Sequence, residues 1–236
     1  MKKMSSNYYT GITDHHLERD PQSNMLLRPS AAESFKKLKK RASLKGIDLT
    51  IVSSFRSFEQ QLKIWNEKAQ GKRSLLDDQG NALEYSTLSD EKILFSILRW
   101  SALPGLSRHH WGTDLDVIDS RPLVNNEGYK VQLIPQEYER GAIFSALGEF
   151  LNSAELTECD FYRPYEKDLG GVSPEPWHLS FAKGALEQEK LLSIDLFEKW
   201  LNSENLKEMS LLEQVKEKKK YIFENYIINT QANPIA

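Results

Sequence analysis

The chain has 236 residues, 31 Lys plus Arg against 34 Asp plus Glu for a net charge of −3, and 39% hydrophobic content. That length allows one large domain, or one domain with a substantial extension. The composition excludes default disorder, the charge demands no basic face for nucleic acid, no run approaches the ~18 apolar residues of a membrane span, and a single cysteine, Cys159, rules out an intrachain disulfide.

Residues 1–28 form a polar N-terminal segment without clear periodicity. Its start, Met1-Lys2-Lys3, is positive like a secretory leader, but no apolar stretch follows. His15 and His16 lie in this segment and read as solvated. Ser30-Ala31-Ala32-Glu33 has the spacing of a capping box opening a helix. Ala32, Phe35, Leu38 and Ala42 recur near the helical period, and Gly46 suits the stop. Leu49 to Val52 is a short β-rich run, expected as a buried strand that delivers Arg56 just beyond its end. A second helix follows, with Leu62, Ile64 and Trp65 as candidate core. Residues 71–89 are expected as a loop turning at Asp78-Gln79-Gly80-Asn81. Ser89 is placed to cap a helix running through Leu103 and ended by Pro104-Gly105.

Leu115 to Ile118 alternates like a strand. Residues 137–152 are expected to be helical around Ile143, Phe144, Leu147 and Phe150. Phe161 to Tyr165 leads to Gly170-Gly171, expected as a flexible approach to Glu175. His178 to Phe181 is a further strand. Beyond about residue 182 the pattern is helical and charged. The sheet is expected to be antiparallel or mixed with helices segregated from it, an α+β domain over 29–185 with a helical extension over 186–236 packed on its core.

Three segments carry chemistry. Ser107-Arg108-His109-His110-Trp111-Gly112-Thr113-Asp114-Leu115-Asp116 offers a His and an Asp seven positions apart. Glu175-Pro176-Trp177-His178 offers a Glu and a His three apart. Two imidazoles and one carboxylate make a three-ligand zinc site with a fourth position open to water, and the remaining Glu is free to accept a proton from that water. Upstream, Arg56 in Ser53-Ser54-Phe55-Arg56-Ser57 is suited to hold a carboxylate or a developing oxyanion. Gly112 suits a tight backbone path between the first two ligands. Asp114 is a competing carboxylate for the ligand position. If Glu175 to His178 entered a strand, alternation would put the two on opposite faces, so a turn at Pro176 has to aim Glu175 at the water.

Together these segments resemble the VanY-type D-alanyl-D-alanine carboxypeptidases. That family's pattern reads Ser-x-His-x-x-Gly, then Asp four residues after the Gly, then Glu-x-x-His. Here these are Ser107, His109, Gly112, Asp116, Glu175 and His178. The family's Ser-Gly-Tyr-Arg-Ser, with Gln five residues after the Arg, reads Ser53-Ser54-Phe55-Arg56-Ser57 with Gln61. The resemblance implies one zinc ion held by His109, Asp116 and His178, Glu175 as catalytic base, and Arg56, Ser107 and Gln61 at the substrate. Implied too are a small central antiparallel sheet carrying the zinc site and a peptidoglycan-derived peptide as partner.

The expected function is a zinc D,D-carboxypeptidase removing the terminal D-Ala of stem peptides. The alternatives are an L,D-carboxypeptidase, a D-Ala-D-Ala dipeptidase, an L-Ala-D-Glu endopeptidase, or, in another class, a non-catalytic wall-binding module. The expected compartment is the cytoplasm, with the periplasm or cell envelope as alternative because that is where the substrate lies. The oligomeric state is left open.

Overall fold

The computed structural model describes residues 9–21 and 23–236; the positive start of the chain, in residues 1–8, lies outside the described residues. A small hairpin of β1 (Glu18–Arg19) and β2 (Leu26–Leu27) precedes helix α1 (Pro29–Leu44). The expected capping box at Ser30 is absent. The helix starts two residues earlier, with Pro29 in its first turn and Arg28 as an N-cap without a side-chain bond. Proline preset at the first helical position needs no amide partner, so the box is not required. Chain reversal after α1 occurs at Gly46, which has φ +81°.

Strand β3 (Leu49–Ser53) leads to helix α2 (Phe58–Ala69), which is capped by a reciprocal box between Ser57 and Gln60. Residues 71–89 form a loop with a tight turn between Asp77 and Asn81 and an isolated bridge between Leu76 and Ala82. Helix α3 (Asp90–Trp100) is capped by Ser89 as expected, but it ends at Trp100 rather than running to Leu103. Ser101 turns extended, with φ −156° and ψ 133°.

Strand β4 (Asp114–Asp119) follows. The single long helix expected over 137–152 is instead a 3₁₀ turn at Pro135–Tyr138 and a short helix α4 (Ser145–Leu151). Gly141, at φ +85°, breaks the path between them. The buried Glu137 carboxylate also gathers the amides of Gln132, Leu133 and Ile134 and the Tyr129 hydroxyl, which favours a compact loop over helix. After α5 (Glu155–Glu158) come β5 (Phe161–Tyr162), an edge strand the sequence pattern did not disclose, and β6 (His178–Phe181).

The four-stranded sheet has the order β3-β4-β6-β5, and every pair is antiparallel. The fold is α+β. On the central strands, Leu115 and Val117 alternate with Asp114 and Asp116, and Leu179 and Phe181 alternate with His178 and Ser180. The apolar set joins Phe35, Leu38, Phe144 and Phe161 in one core. The polar set lies on the opposite face, yet it is buried as well.

Helix α6 (Ala182–Glu189) packs Ala182 and Ala185 against Trp111 and Tyr162, and a second core lies among α2, α3 and the later helices α7 (Ile194–Leu201), α8 (Leu212–Glu217) and α9 (Lys219–Ile222), with a π-helical end at Phe223–Ile227. Trp65, Ile97, Phe197, Val215 and Phe223 belong to it. Trp65 Nε1 donates to the Ser210 carbonyl at 2.8 Å, and Trp200 Nε1 donates to the Pro104 carbonyl at 2.9 Å. The extension thus shares core and hydrogen bonds with the helices behind the site. Among the described residues no helix is long and apolar enough to cross a membrane.

Candidate active site

Register explains how two of the predicted ligands meet. Asp116 of β4 is paired directly with His178 of β6, and residues opposed across antiparallel strands project from the same face. The third comes from the 3₁₀ turn Arg108–Trp111, which ends on Gly112 in the left-handed region at φ +68°. The left-handed φ favours glycine there, and a Cβ would lie 2.2 Å from Leu17 Cδ2, so that side chain would have to move. His109, Asp116 and His178 each present a ligand atom, all within 4.8 Å of one another.

The tautomers follow from the outer hydrogen bonds. His109 Nδ1 lies 2.8 Å from the Ser54 carbonyl. A carbonyl only accepts, so Nδ1 carries the proton and the Nε2 lone pair faces Asp116 Oδ2 at 3.3 Å. His178 is arranged the other way round. Its Nε2 lies 3.0 Å from Asp114 Oδ1 and donates to it. Its Nδ1 faces Asp116 Oδ1 at 3.2 Å and Glu175 Oε2 at 3.3 Å. Asp116 Oδ1 is buried without a hydrogen-bond partner. Lone pairs of two imidazoles and two carboxylates therefore converge on one point, an arrangement that only a cation relieves. Two nitrogens and one carboxylate oxygen, with a further carboxylate beside them, fit zinc in its catalytic form.

Asp114 is not among the three residues whose ligand atoms converge. It is completely buried and accepts from His178, from Arg108 Nε at 2.8 Å and from Thr113 Oγ1 at 2.6 Å. Such a carboxylate fixes the ring and raises the basicity of the ligating nitrogen. Arg108 in turn reaches Glu189 at 2.9 Å, the Tyr162 hydroxyl at 2.8 Å and Ser180 Oγ at 2.7 Å. Asn233 Nδ2 donates to the other Glu189 oxygen at 3.2 Å.

Burial alone would raise the carboxyls of Asp114 and Asp116. Arg108 and His178 beside the first, and His109 and His178 beside the second, hold both far below the usual range. Burial likewise opposes a charged His178, yet its bonds to Asp114, Asp116 and Glu175 raise its pKa well above normal. Positive charge is what this pocket is built to hold.

His110 does not face the site. It is fully buried, its Nδ1 donates to the Arg56 carbonyl at 2.6 Å, and its Nε2 accepts from Gly105 N at 3.0 Å. Burial pushes its pKa down to about 3, so it serves as a neutral clasp between two loops. With the Arg56 amide bonded to the His109 carbonyl at 3.2 Å, it locks the Arg56 loop to the ligand turn.

Arg56 lines the cleft of about 360 Å³ that contains His109, Asp116, Glu175 and His178. Gln61 Oε1 accepts from its Nη1 at 2.8 Å, and Ser53 Oγ from its Nη2 at 3.3 Å. Gln61 is itself fully buried, with its amide nitrogen bonded to the Ala102 carbonyl at 2.7 Å. Both ends of that amide are used, so Gln61 holds Arg56 rather than reaching a ligand directly. Ser107 lines the cleft wall.

Glu175 sits in the turn that precedes β6, closed by His178 N bonding to the Glu175 carbonyl at 3.0 Å. That turn gives it the same side as His178, which strand alternation would not. Its approach is pinned rather than flexible. Glu175 N bonds to the Tyr165 carbonyl at 2.8 Å, Ser173 N to the Arg99 carbonyl at 2.9 Å, and Arg99 Nη1 to the Gly171 carbonyl at 2.8 Å. Gly171 packs so closely that a Cβ would lie 1.8 Å from the Asn225 carbonyl oxygen.

The sequence motifs did not disclose Lys68, which also lines the cleft and donates to Ser101 Oγ at 2.6 Å. They left Asp114 as a competing ligand and did not disclose its partner Arg108.

Residues 24–184 match the family model VanY, described as D-alanyl-D-alanine carboxypeptidase. An uncharacterized protein of Haemophilus influenzae is 40% identical over 104 residues, covering 43% of this chain and 71% of its own. A solved structure described as VanYB in complex with D-Alanine-D-Alanine is similar with a TM-score of 0.50 and 18% identity, over 80% of this chain and 88% of that one. A second, described as the vancomycin resistance D,D-pentapeptidase VanY in complex with Zn(II), has a TM-score of 0.49 and 19% identity over 79% and 89%. With its model matched across the sheet, the ligand turn and the Glu175–His178 segment, the chain belongs to the VanY family of D-alanyl-D-alanine carboxypeptidases.

Proposed function

We propose that this protein is a zinc-dependent D,D-carboxypeptidase that removes the terminal D-Ala of peptidoglycan stem peptides. The observation that carries the reading is the convergence of His109 Nε2, Asp116 and His178 Nδ1 beside a free carboxylate, in a cleft that also presents an arginine. Zinc held by those three residues would supply Lewis acidity and lower the pKa of a water toward about 7. Glu175, whose side chain is 14% exposed and 3.3 Å from His178 Nδ1, accepts that water's proton and hands it to the leaving amine. Asp114 keeps His178 in the tautomer that leaves Nδ1 free. Arg56, held by Gln61 and Ser53, binds the terminal carboxylate of the substrate through charge-assisted hydrogen bonds. Family membership supports the same substrate class.

The test uses one stem peptide ending in D-Ala-D-Ala, as the free acid and as the C-terminal amide. If Arg56 is a carboxylate clamp, the zinc-loaded protein prefers the free acid by about tenfold or more, and Arg56→Ala removes most of that preference. If Arg56 serves the oxyanion, the variant is slow on both and keeps the preference. Equal wild-type rates on acid and amide overturn the carboxypeptidase reading and favour an endopeptidase. A peptide ending in a single D-Ala after an L-centre, if cleaved faster, replaces D,D with L,D specificity.

A further inference from the structure

Two loops contribute to the walls of the cleft. Loop 71–89 brings Arg73 and Leu76, and segment 163–177 brings Tyr165, Val172 and Glu175. Arg99, in the last turn of α3, joins the two. Its Nε donates to Asp78 Oδ1 at 2.9 Å, and its Nη1 and Nη2 donate to the two oxygens of Asp168, the first at 3.0 Å. Nη1 also donates to the Gly171 carbonyl at 2.8 Å. Asp78 is two residues from Leu76, and Gly171 is next to Val172, so both grips fall close to positions that line the cleft. Leu76 also lines a neighbouring hollow of about 330 Å³ that contains Asp78, Arg99 and Asp168. The bridge therefore lies beside the Leu76 wall.

Stability is a minor part of this arrangement. The Arg99 side chain is 14% exposed, but those of Asp78 and Asp168 are 69% and 49% exposed, and ion pairs to such carboxylates contribute little. A guanidinium fork fixes direction as well as distance, so its main effect is on position. Two other bonds from the end of α3 do not involve the Arg99 side chain. Trp100 Nε1 donates to the Asp77 carbonyl at 3.2 Å, and Ser173 N donates to the Arg99 carbonyl at 2.9 Å. Replacing the guanidinium therefore leaves each loop attached to α3 and removes the link between them.

We propose that Arg99 is a positioning residue, whose guanidinium fixes the Leu76 wall and the Glu175 segment relative to each other in the cleft. This rests on the functional reading above and adds a residue to it. The two carboxylates divide the effect. Asp168 acts on the stretch leading to Glu175, a group that works in the transition state, so its loss falls on kcat. Asp78 acts on the Leu76 wall, which meets the substrate in ground and transition states alike, so its loss falls on KM.

The experiment measures kcat and KM of zinc-loaded wild type, Arg99→Met, Arg99→Lys, Asp78→Ala and Asp168→Ser on a stem peptide ending in D-Ala-D-Ala. Serine at position 168 can still accept from the Gly170 amide, which bonds to Asp168 Oδ1 at 2.8 Å, but is too short to meet Arg99. Asp168→Ser is expected to lower kcat about tenfold with KM little changed, and Asp78→Ala to raise KM about threefold with kcat little changed. Arg99→Met does both, and Arg99→Lys, which keeps the charge without the fork, lies between it and wild type. Amide hydrogen exchange of the same proteins is read by mass spectrometry, with Tm alongside. Exchange rises over 71–89 and 163–177 in Arg99→Met, over 71–89 alone in Asp78→Ala, and over 163–177 alone in Asp168→Ser. A wild type that cleaves no such peptide counts against the carboxypeptidase reading, and the exchange pattern then decides the role of Arg99. Unchanged exchange of both segments in Arg99→Met, or activity that only follows Tm with no division between kcat and KM, overturns the proposal.

Discussion

Replacing Asp114 tests how the site is held together. Asp114→Ala removes three hydrogen bonds at once, from His178 at 3.0 Å, Arg108 at 2.8 Å and Thr113 at 2.6 Å. Breaking a buried ion pair from one side costs about 3–5 kcal/mol. Arg108 keeps Glu189 as a second carboxylate, so the lower end, about 3 kcal/mol, is expected. For a chain of this length that lowers Tm by about 6–12 °C. The second effect is on the metal. With no acceptor for its Nε2 proton, His178 is free to rotate or change tautomer, and zinc affinity falls about 10–100-fold.

Asp114→Asn keeps a carbonyl for His178 but loses the charge, and lies between wild type and Asp114→Ala in affinity. The double variant Arg108→Met/Asp114→Leu separates the two effects. Removing both members of a buried pair is often neutral for stability, but Glu189 also loses Arg108 here, so Tm recovers in part while zinc affinity does not. Zinc competition against a chromogenic chelator reads the affinity, and calorimetric melts of metal-free protein read the stability. Zinc affinity within twofold of wild type in Asp114→Ala would refute the role given to this carboxylate.

The ligand assignment predicts about one zinc per chain, lost in His178→Ala and largely kept in His110→Ala, as measured by metal analysis after dialysis. Glu175→Gln should keep its zinc while turnover falls by about a hundredfold or more; near-normal turnover would remove Glu175 from the mechanism. His110 is neutral when folded, with its pKa pushed down to about 3, against about 6.5 unfolded. The unfolded chain therefore takes up the extra proton between those values, and stability is lost as pH falls from about 6.5 toward 3. His110→Gln flattens that part of the stability profile in urea titrations. Gly112→Ala meets both the left-handed φ of +68° and Leu17, and is expected to lower stability by about 1–3 kcal/mol.

The cluster of His109, Asp116 and His178, with Glu175 and Arg56 in the same cleft, was legible because each lies in a short motif whose spacing has a chemical reason. The elements carrying them were legible too: β3, β4, β6, α2 and α3 are short amphipathic or apolar runs with their own caps. What stayed hidden depends on tertiary partners. Residues 137–152 have helical spacing, but Gly141 and the loop gathered by Glu137 win over it locally. Lys68 is indistinguishable in sequence from the exposed lysines of α1, since nothing in its own helix tells that Ser101 will meet it. The pinned course of 163–177 depends on Arg99 and Asn225, which are remote in sequence.

Asp114 shows the limit most clearly. Asp-Leu-Asp-Val in β4 and His-Leu-Ser-Phe in β6 have the polar–apolar alternation of strands with one wet face. Here that face is dry, because Arg108 from the ligand turn lies over it and is bonded to Asp114, Ser180 and Tyr162. The cost of burying so many polar groups is offset only when every one has a partner, and the last partner comes from outside the matched family region. Glu189 closes the Arg108 network, and Asn233 closes Glu189. His178, Asp114, Arg108, Glu189 and Asn233 thus form one continuous chain of hydrogen bonds from the His109–Asp116–His178 cluster to the C-terminal segment. The segment after residue 184 is therefore part of what orients the His178 ring, and shortening the chain before Asn233 acts on the site through that chain of contacts.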